Sequence, residues 1–235
     1  MKSSAVTTPD GILYFIGGQL LFEHRNPQGA VVRKCLSTHA ARQAFTQQQT
    51  DSGWLAPHTI RYGENSRGVW LMQRYDPAVY RLTFENAILN PQDNQPLKTI
   101  QIALPGMLFL GTRKDYFLWA YRTWKDDETV LYHAPVPNID PNGKICFGTN
   151  RLPMAGVDTI GKVWTLFWTS PFNEDLASQK SRQYPDTILK LLPTLHRPND
   201  SDPNSYPTVD LKRARWTIPD ILTQLNPKPS DERPS

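Results

Sequence analysis

The sequence predicts an α+β fold: an antiparallel β-meander packed on helices, preceded by a β-rich N-terminal extension. Three observations carry that prediction. Short segments rich in β-branched and aromatic residues recur from residue 12 to residue 135, separated by turn sequences such as GENSRG and YDPA. Ile160, Val163, Trp164, Phe167 and Trp168 fall at helical spacing. Beyond His196 the composition changes, with seven of the 21 prolines in Arg197–Ser235. The chain accordingly divides into a β-rich extension with one helix over 1–97, a core over 98–196, and a Pro-rich, partly disordered tail over 197–235.

Each element has its own signal. Ile12–His24 and Ala30–Leu36 flank RNPQG and read as a hairpin. Thr38 is placed to cap a helix through Gln49, in Ala- and Gln-rich sequence. Thr59–Tyr62, Val69–Arg74 and Val79–Phe84 follow as short strands. KTIQIALPGMLFLG and DYFLWAYR read as two strands joined by GTRK, with ETVLYHAP as a third. In DYFLWAYR the aromatic residues Tyr116, Phe117, Trp119 and Tyr121 suit a sheet core. A helix is predicted over Asp158–Ser170, with Asp158 as an N-cap-type side chain and Pro171 as its stop. A second is predicted over Asp186–Leu195, and within the tail only RARWTIPDILTQL has the apolar content to dock.

Composition excludes several function classes. With 39% hydrophobic residues and seven Trp, the 235-residue chain can build a true core. A net charge of +4 is too small and too spread to imply a nucleic-acid partner. Lys212, Arg213 and Arg215 beside Trp216 read as a solvated basic turn. Five scattered His and two Cys show no metal spacing, so neither a zinc site nor a disulfide framework is expected. The apolar run Ile12–Phe22 is broken by Gly17, Gly18 and Gln19 and is too short to cross a bilayer, which predicts a cytoplasmic protein with free thiols and no membrane partner. GVDTIGK, at 156–162, has Val163 where a phosphate loop needs Ser or Thr, and reads as a capped helix start. Cys35 reads as a packing residue of an early strand.

The chemistry concentrates in YHAPVPNIDPNGKICFG, residues 132–148. Asp140-Pro141-Asn142-Gly143 is a strong β-turn sequence, after which the chain re-extends. In an extended segment Ile145 and Phe147 face the core, which leaves Lys144 and Cys146 on the accessible side. The Lys144 ammonium would then favour thiolate. Asn138 lies eight residues upstream, where the turn can fold its amide beside the sulfur and stabilise an oxyanion. Cysteine, turn and carboxamide suit acyl transfer through a thioester; the same residues also suit a small core cysteine after a hairpin. Asp140, Asp158 and Glu174 are acids in flanking loops, and none is identified as a general base.

PN-I-DPNG-K-IC resembles the active-site signature of ubiquitin-conjugating (E2-type) enzymes, with Pro137, Asn138, Ile139, Gly143, Ile145 and Cys146 in register. SPFNEDLASQKS, at 170–181, is similar to the segment that follows the post-cysteine helix in those enzymes. Together with LPGMLFLG, YFLWAYR and LYHAPVPN, the motifs resemble the prokaryotic E2-type family D. The resemblance covers roughly 98–195 and implies a ubiquitin-conjugating-like core. It implies Cys146 as carrier of a ubiquitin-like protein and Asn138 as oxyanion or loop-ordering residue, with Pro137, Gly143 and Lys144 in support. No metal or organic cofactor is implied. The partners it implies are a ThiF/E1-like activating enzyme, a ubiquitin-like protein and, in some systems, a JAB-type protease, encoded in ParB-related, ThiF-related (PRTRC) cassettes on plasmids and other mobile elements. The sequence departs from the signature at one point. Val136 stands where the family has His, and His133 is three residues too early to replace it. That departure leaves open a scaffold or binding subunit without the chemistry.

Overall fold

A computed structural model describes residues 11–17, 19–37, 41, 53–65, 67–85, 97–198 and 202–226. The chain forms two compact units, Met1–Gly53 and Trp54–Ser235.

In the first unit, β1 (Gly11–Ile16), β2 (Gln19–Arg25) and β3 (Val31–Leu36) form an antiparallel sheet in chain order. The strand expected over Ile12–His24 is therefore two strands. The chain reverses at Gly17, whose φ of +53° suits a residue without a Cβ. RNPQG makes the predicted turn, held by Asn26 Oδ1 accepting from the amides of Gln28 and Ala30. Cys35, expected to pack, is exposed on β3 opposite Leu21. The helix expected over Thr38–Gln49 lies, apart from Ala41, outside the described residues.

The second unit is α+β with antiparallel sheets. Its strands are β4 (Thr59–Asn65), β5 (Gly68–Tyr75), β6 (Ala78–Glu85), β7 (Leu97–Leu104), β8 (Gly106–Thr112), β9 (Asp115–Tyr121) and β10 (Leu131–His133). The central sheet runs β10-β9-β8-β5-β4, while β6 and β7 pair in a separate ribbon. The stretch 98–111, expected as one strand, breaks at Pro105, which has no N–H for a ladder. There the chain crosses from ribbon to sheet, and β8 enters between β5 and β9.

Period-two alternation sends neighbours to opposite faces of the sheet. Leu71, Phe109 and Leu118 join one core with Ile160, Val163 and Phe167 of helix α1 (Ile160–Thr169). Tyr75 stacks on Trp164 of that helix with ring centroids 3.7 Å apart. Met72, Leu108, Leu110 and Trp119 join a second core with Ile218, Ile221 and Leu225 of helix α2 (Ile218–Leu225). Both faces of the sheet are thus covered.

Two helix expectations change, and so does the reading of the tail. Helix α1 begins after Thr159, whose hydroxyl donates back to Met154 O at 2.7 Å, so exposed Asp158 makes no cap. Pro171 follows its last turn as expected. The helix expected over Asp186–Leu195 is two 3-10 turns, Ile188–Lys190 and Leu192–Leu195, because Pro193 has no N–H to continue an α-helix. The described tail, 202–226, is folded: Tyr206, Leu211 and Ala214 are buried, and His133 N donates to Lys212 O beside β10. Its predicted docking segment forms α2, whose start carries a reciprocal Thr217–Asp220 capping box. Among the described residues no helix is long and apolar enough to cross a membrane.

Candidate active site

The segment Asn138–Cys146 is a small hairpin whose register brings the two predicted site residues together. Cys146 N donates to Asn138 O at 2.8 Å and Asp140 N to Lys144 O at 2.8 Å, with Ile139 and Ile145 paired between them. Residues directly opposite in an antiparallel pair project to the same face. Cys146 and Asn138 stand opposite each other through this bond; Asn138 has φ +62°, and the cleft both residues line is what brings their side chains to one side. The turn follows from its sequence: Asp140 Oδ1 accepts from the amides of Asn142 and Lys144, and Gly143 N donates to Asp140 O.

The hairpin sits against the edge of β9. Ile145 N donates to Tyr116 O at 2.9 Å, and Leu118 N donates to Gly143 O at 2.8 Å. Ile145 is buried, and Phe147 packs edge-on against Tyr116 and Phe167. With its neighbours claimed by the core, Cys146 is exposed. Gly143 has φ +91°, and a Cβ there would lie 2.4 Å from the Trp119 indole. Gly143→Ala is therefore expected to lower stability by about 2–4 kcal/mol, read as a fall in the urea midpoint.

Cys146 and Asn138 line one cleft of about 340 Å³, together with Phe147, Asn150, Phe172 and Asn173. Asn138, at φ +62°, has its amide N–H bonded to Asp175 O at 2.8 Å. Its side-chain Nδ2 donates to Asn173 Oδ1 at 2.7 Å. Asn173 is in turn fixed by a bond from its own Nδ2 to Asp175 Oδ2, and by Phe172, whose amide donates to Thr83 O of β6. Sequence reasoning does not single out Asn173; the SPFNEDL motif is its one visible signal.

Other candidates are placed differently. The Lys144 ammonium pairs with Asp115 Oδ1 at 2.7 Å across the hairpin–β9 seam, so its charge is engaged there. Pro137 is buried behind Asn138. Asp140, Asp158 and Glu174 do not line the cleft; the Asp140 carboxylate serves the turn amides. Val136 retains 0% exposure. His133 does not line the cleft either. Burial pushes its imidazole pKa down to about 4, with Lys180 and then Lys212 adding to the shift.

Among comparisons with known proteins, the family model described as prokaryotic E2 family D matches residues 33–214, more than three quarters of the chain. No curated protein and no solved structure gives a significant match.

Proposed function

The chain belongs to prokaryotic E2 family D, and on that premise we propose that it carries a ubiquitin-like protein as a thioester on Cys146. The observation that supports this reading most directly is the register that sets exposed Cys146 opposite Asn138 in a shared cleft. The donor is the thioester that a ThiF/E1-like enzyme forms with the modifier's C-terminus. The Cys146 thiolate attacks that carbonyl, a new C–S bond forms, and the activating enzyme's cysteine leaves as thiolate. The proton lost by Cys146 passes to solvent and returns to the leaving sulfur, with no net redox change.

Asn138 Nδ2 carries two hydrogens, one of which is held by Asn173 Oδ1. The other remains to meet the oxyanion of the tetrahedral intermediate. Asn138→Asp keeps the size and the tolerance of positive φ but removes the donor. It is expected to slow adduct formation about 100- to 1000-fold, and, because it also sets a carboxylate against Asn173 Oδ1, to lower stability by about 1–3 kcal/mol.

The decisive test incubates the protein with its cognate activating enzyme, modifier and ATP. A thiol-sensitive adduct that maps to the peptide containing Cys146 supports the carrier reading. Stable binding of the activating enzyme with no adduct supports the alternative, a docking subunit of the same PRTRC-type, mobile-element system. Buried Val136, in place of a polar side chain, is what favours that alternative. A JAB-type protease that removes the modifier belongs to either version.

A further inference from the structure

Lys180 retains 2% of its accessible surface, and its Nζ donates to Ile139 O at 2.7 Å. Burying an ammonium is unfavourable by several kcal/mol unless its protons find acceptors, so the acceptor it has found is informative. Ile139 sits midway along the outer limb of the Cys146 hairpin. Asn138 O and Asp140 N on either side bond to the inner limb, so the Ile139 carbonyl faces outward, away from that ladder. The inner limb is fastened through Ile145 N to Tyr116 O of β9. The outer limb is fastened by two bonds from elsewhere: Asn138 N to Asp175 O, and Lys180 to Ile139 O. Lys180 is itself held on a pinned segment. Ile188 N donates to Ala177 O, Gln179 N donates to Pro185 O, and Ser181 bridges to Leu211. Val136, three residues before Ile139, gives this limb no side-chain donor.

We propose that Lys180 is the positioning residue of the site: its buried ammonium holds the outer limb in the register that keeps Asn138 opposite Cys146. The importance of that register for transfer rests on the thioester reading above; the holding itself does not. The ionisable groups that interact with Lys180 are Asp140 of the hairpin and His133 of β10, and Lys212 acts on the same His133. Burial lowers its pKa to about 7, and Asp140 opposes the shift. An unfolded lysine keeps its proton to about pH 10.4. Between those two values the unfolded chain binds more protons than the folded one, so this group makes stability rise with pH from about 7 to about 10 and leaves it level below 7.

The test compares the 235-residue wild-type chain with Lys180→Met, which keeps the apolar volume and removes the donor. Amide hydrogen exchange at Asn138 and Cys146 should accelerate about tenfold or more in the variant, with Phe109 and Leu118 unchanged. The pH-dependent rise in the urea midpoint between 7 and 10 should disappear. Where the wild type forms its adduct, Lys180→Met should slow it about tenfold, and the loss should not add to that of Asn138→Asp. Unchanged hairpin exchange in a folded Lys180→Met overturns the proposal, whatever the adduct does. A wild type with no adduct overturns the thioester reading, and the exchange experiment still decides Lys180. Should the variant not fold, the wild type alone decides. Its hairpin exchange, corrected for intrinsic rates, must slow selectively as pH rises from 7 to 9, because the neutral amine still donates to Ile139 O while opening that wets Nζ becomes harder; a flat profile refutes the role.

Discussion

Cys146→Ala is expected to abolish the thiol-sensitive adduct completely, and Cys146→Ser to convert it into an ester that survives reducing agent. The sulfur is exposed, and the bond from Cys146 N to Asn138 O belongs to the backbone. Neither substitution opens a cavity or strands a buried polar group, so the unfolding midpoint should move by no more than about 0.5 kcal/mol. Loss of the adduct without loss of stability would place the chemistry on Sγ. Cys35 supplies the matched control, because it too is exposed. Cys35→Ala should keep the adduct. Alkylation rates alone do not separate the two thiols, since both meet solvent. An adduct that persists in Cys146→Ala sinks the carrier proposal.

Val136→His, which restores the residue that E2-type signatures place there, is expected to damage this protein. Val136 is fully buried within the main core, and its amide already donates to Ala134 O at 2.9 Å. An imidazole adds volume to a packed site and brings two nitrogens that need partners. The expected cost is about 3–5 kcal/mol, measured by urea unfolding, with adduct formation lowered rather than improved. A stable and faster Val136→His variant would show that the site still has room for the signature's own hydrogen bond, and that the Lys180 bond is not a replacement for it.

The hairpin was legible because its determinants are local. Asp140, Pro141, Asn142 and Gly143 specify the turn within four residues, and the Ile145/Phe147 alternation fixes which side the sulfur takes. The apolar spacing that gave α1 is local in the same sense. What escaped was set by distant partners. Nothing near Pro105 tells that β7 belongs to one sheet and β8 to another, since β8 pairs with β5, whose residues lie 32 to 42 positions earlier. Lys180 sits in SQKSRQ, a polar stretch that reads as solvated, yet is buried because Ile139, about forty residues away, offers a carbonyl. Asn173 acquires its role only when Asn138 folds against it. The tail misled only upstream of its expected docking segment, where prolines predict an extended chain but do not stop Tyr206 and Leu211 from packing.

The double-sided covering of the central sheet has a consequence for biosynthesis. Every described strand has been translated by His133, yet Met72, Leu108 and Trp119 await a lid made of residues 214–225, which emerge from the ribosome some eighty residues later. At 5–20 residues per second, that is a delay of roughly 4–16 s during which one oily side of a growing polypeptide faces water. Chaperone occupancy on nascent chains, and the solubility of products stopped before residue 214, are the places where this interval would be felt.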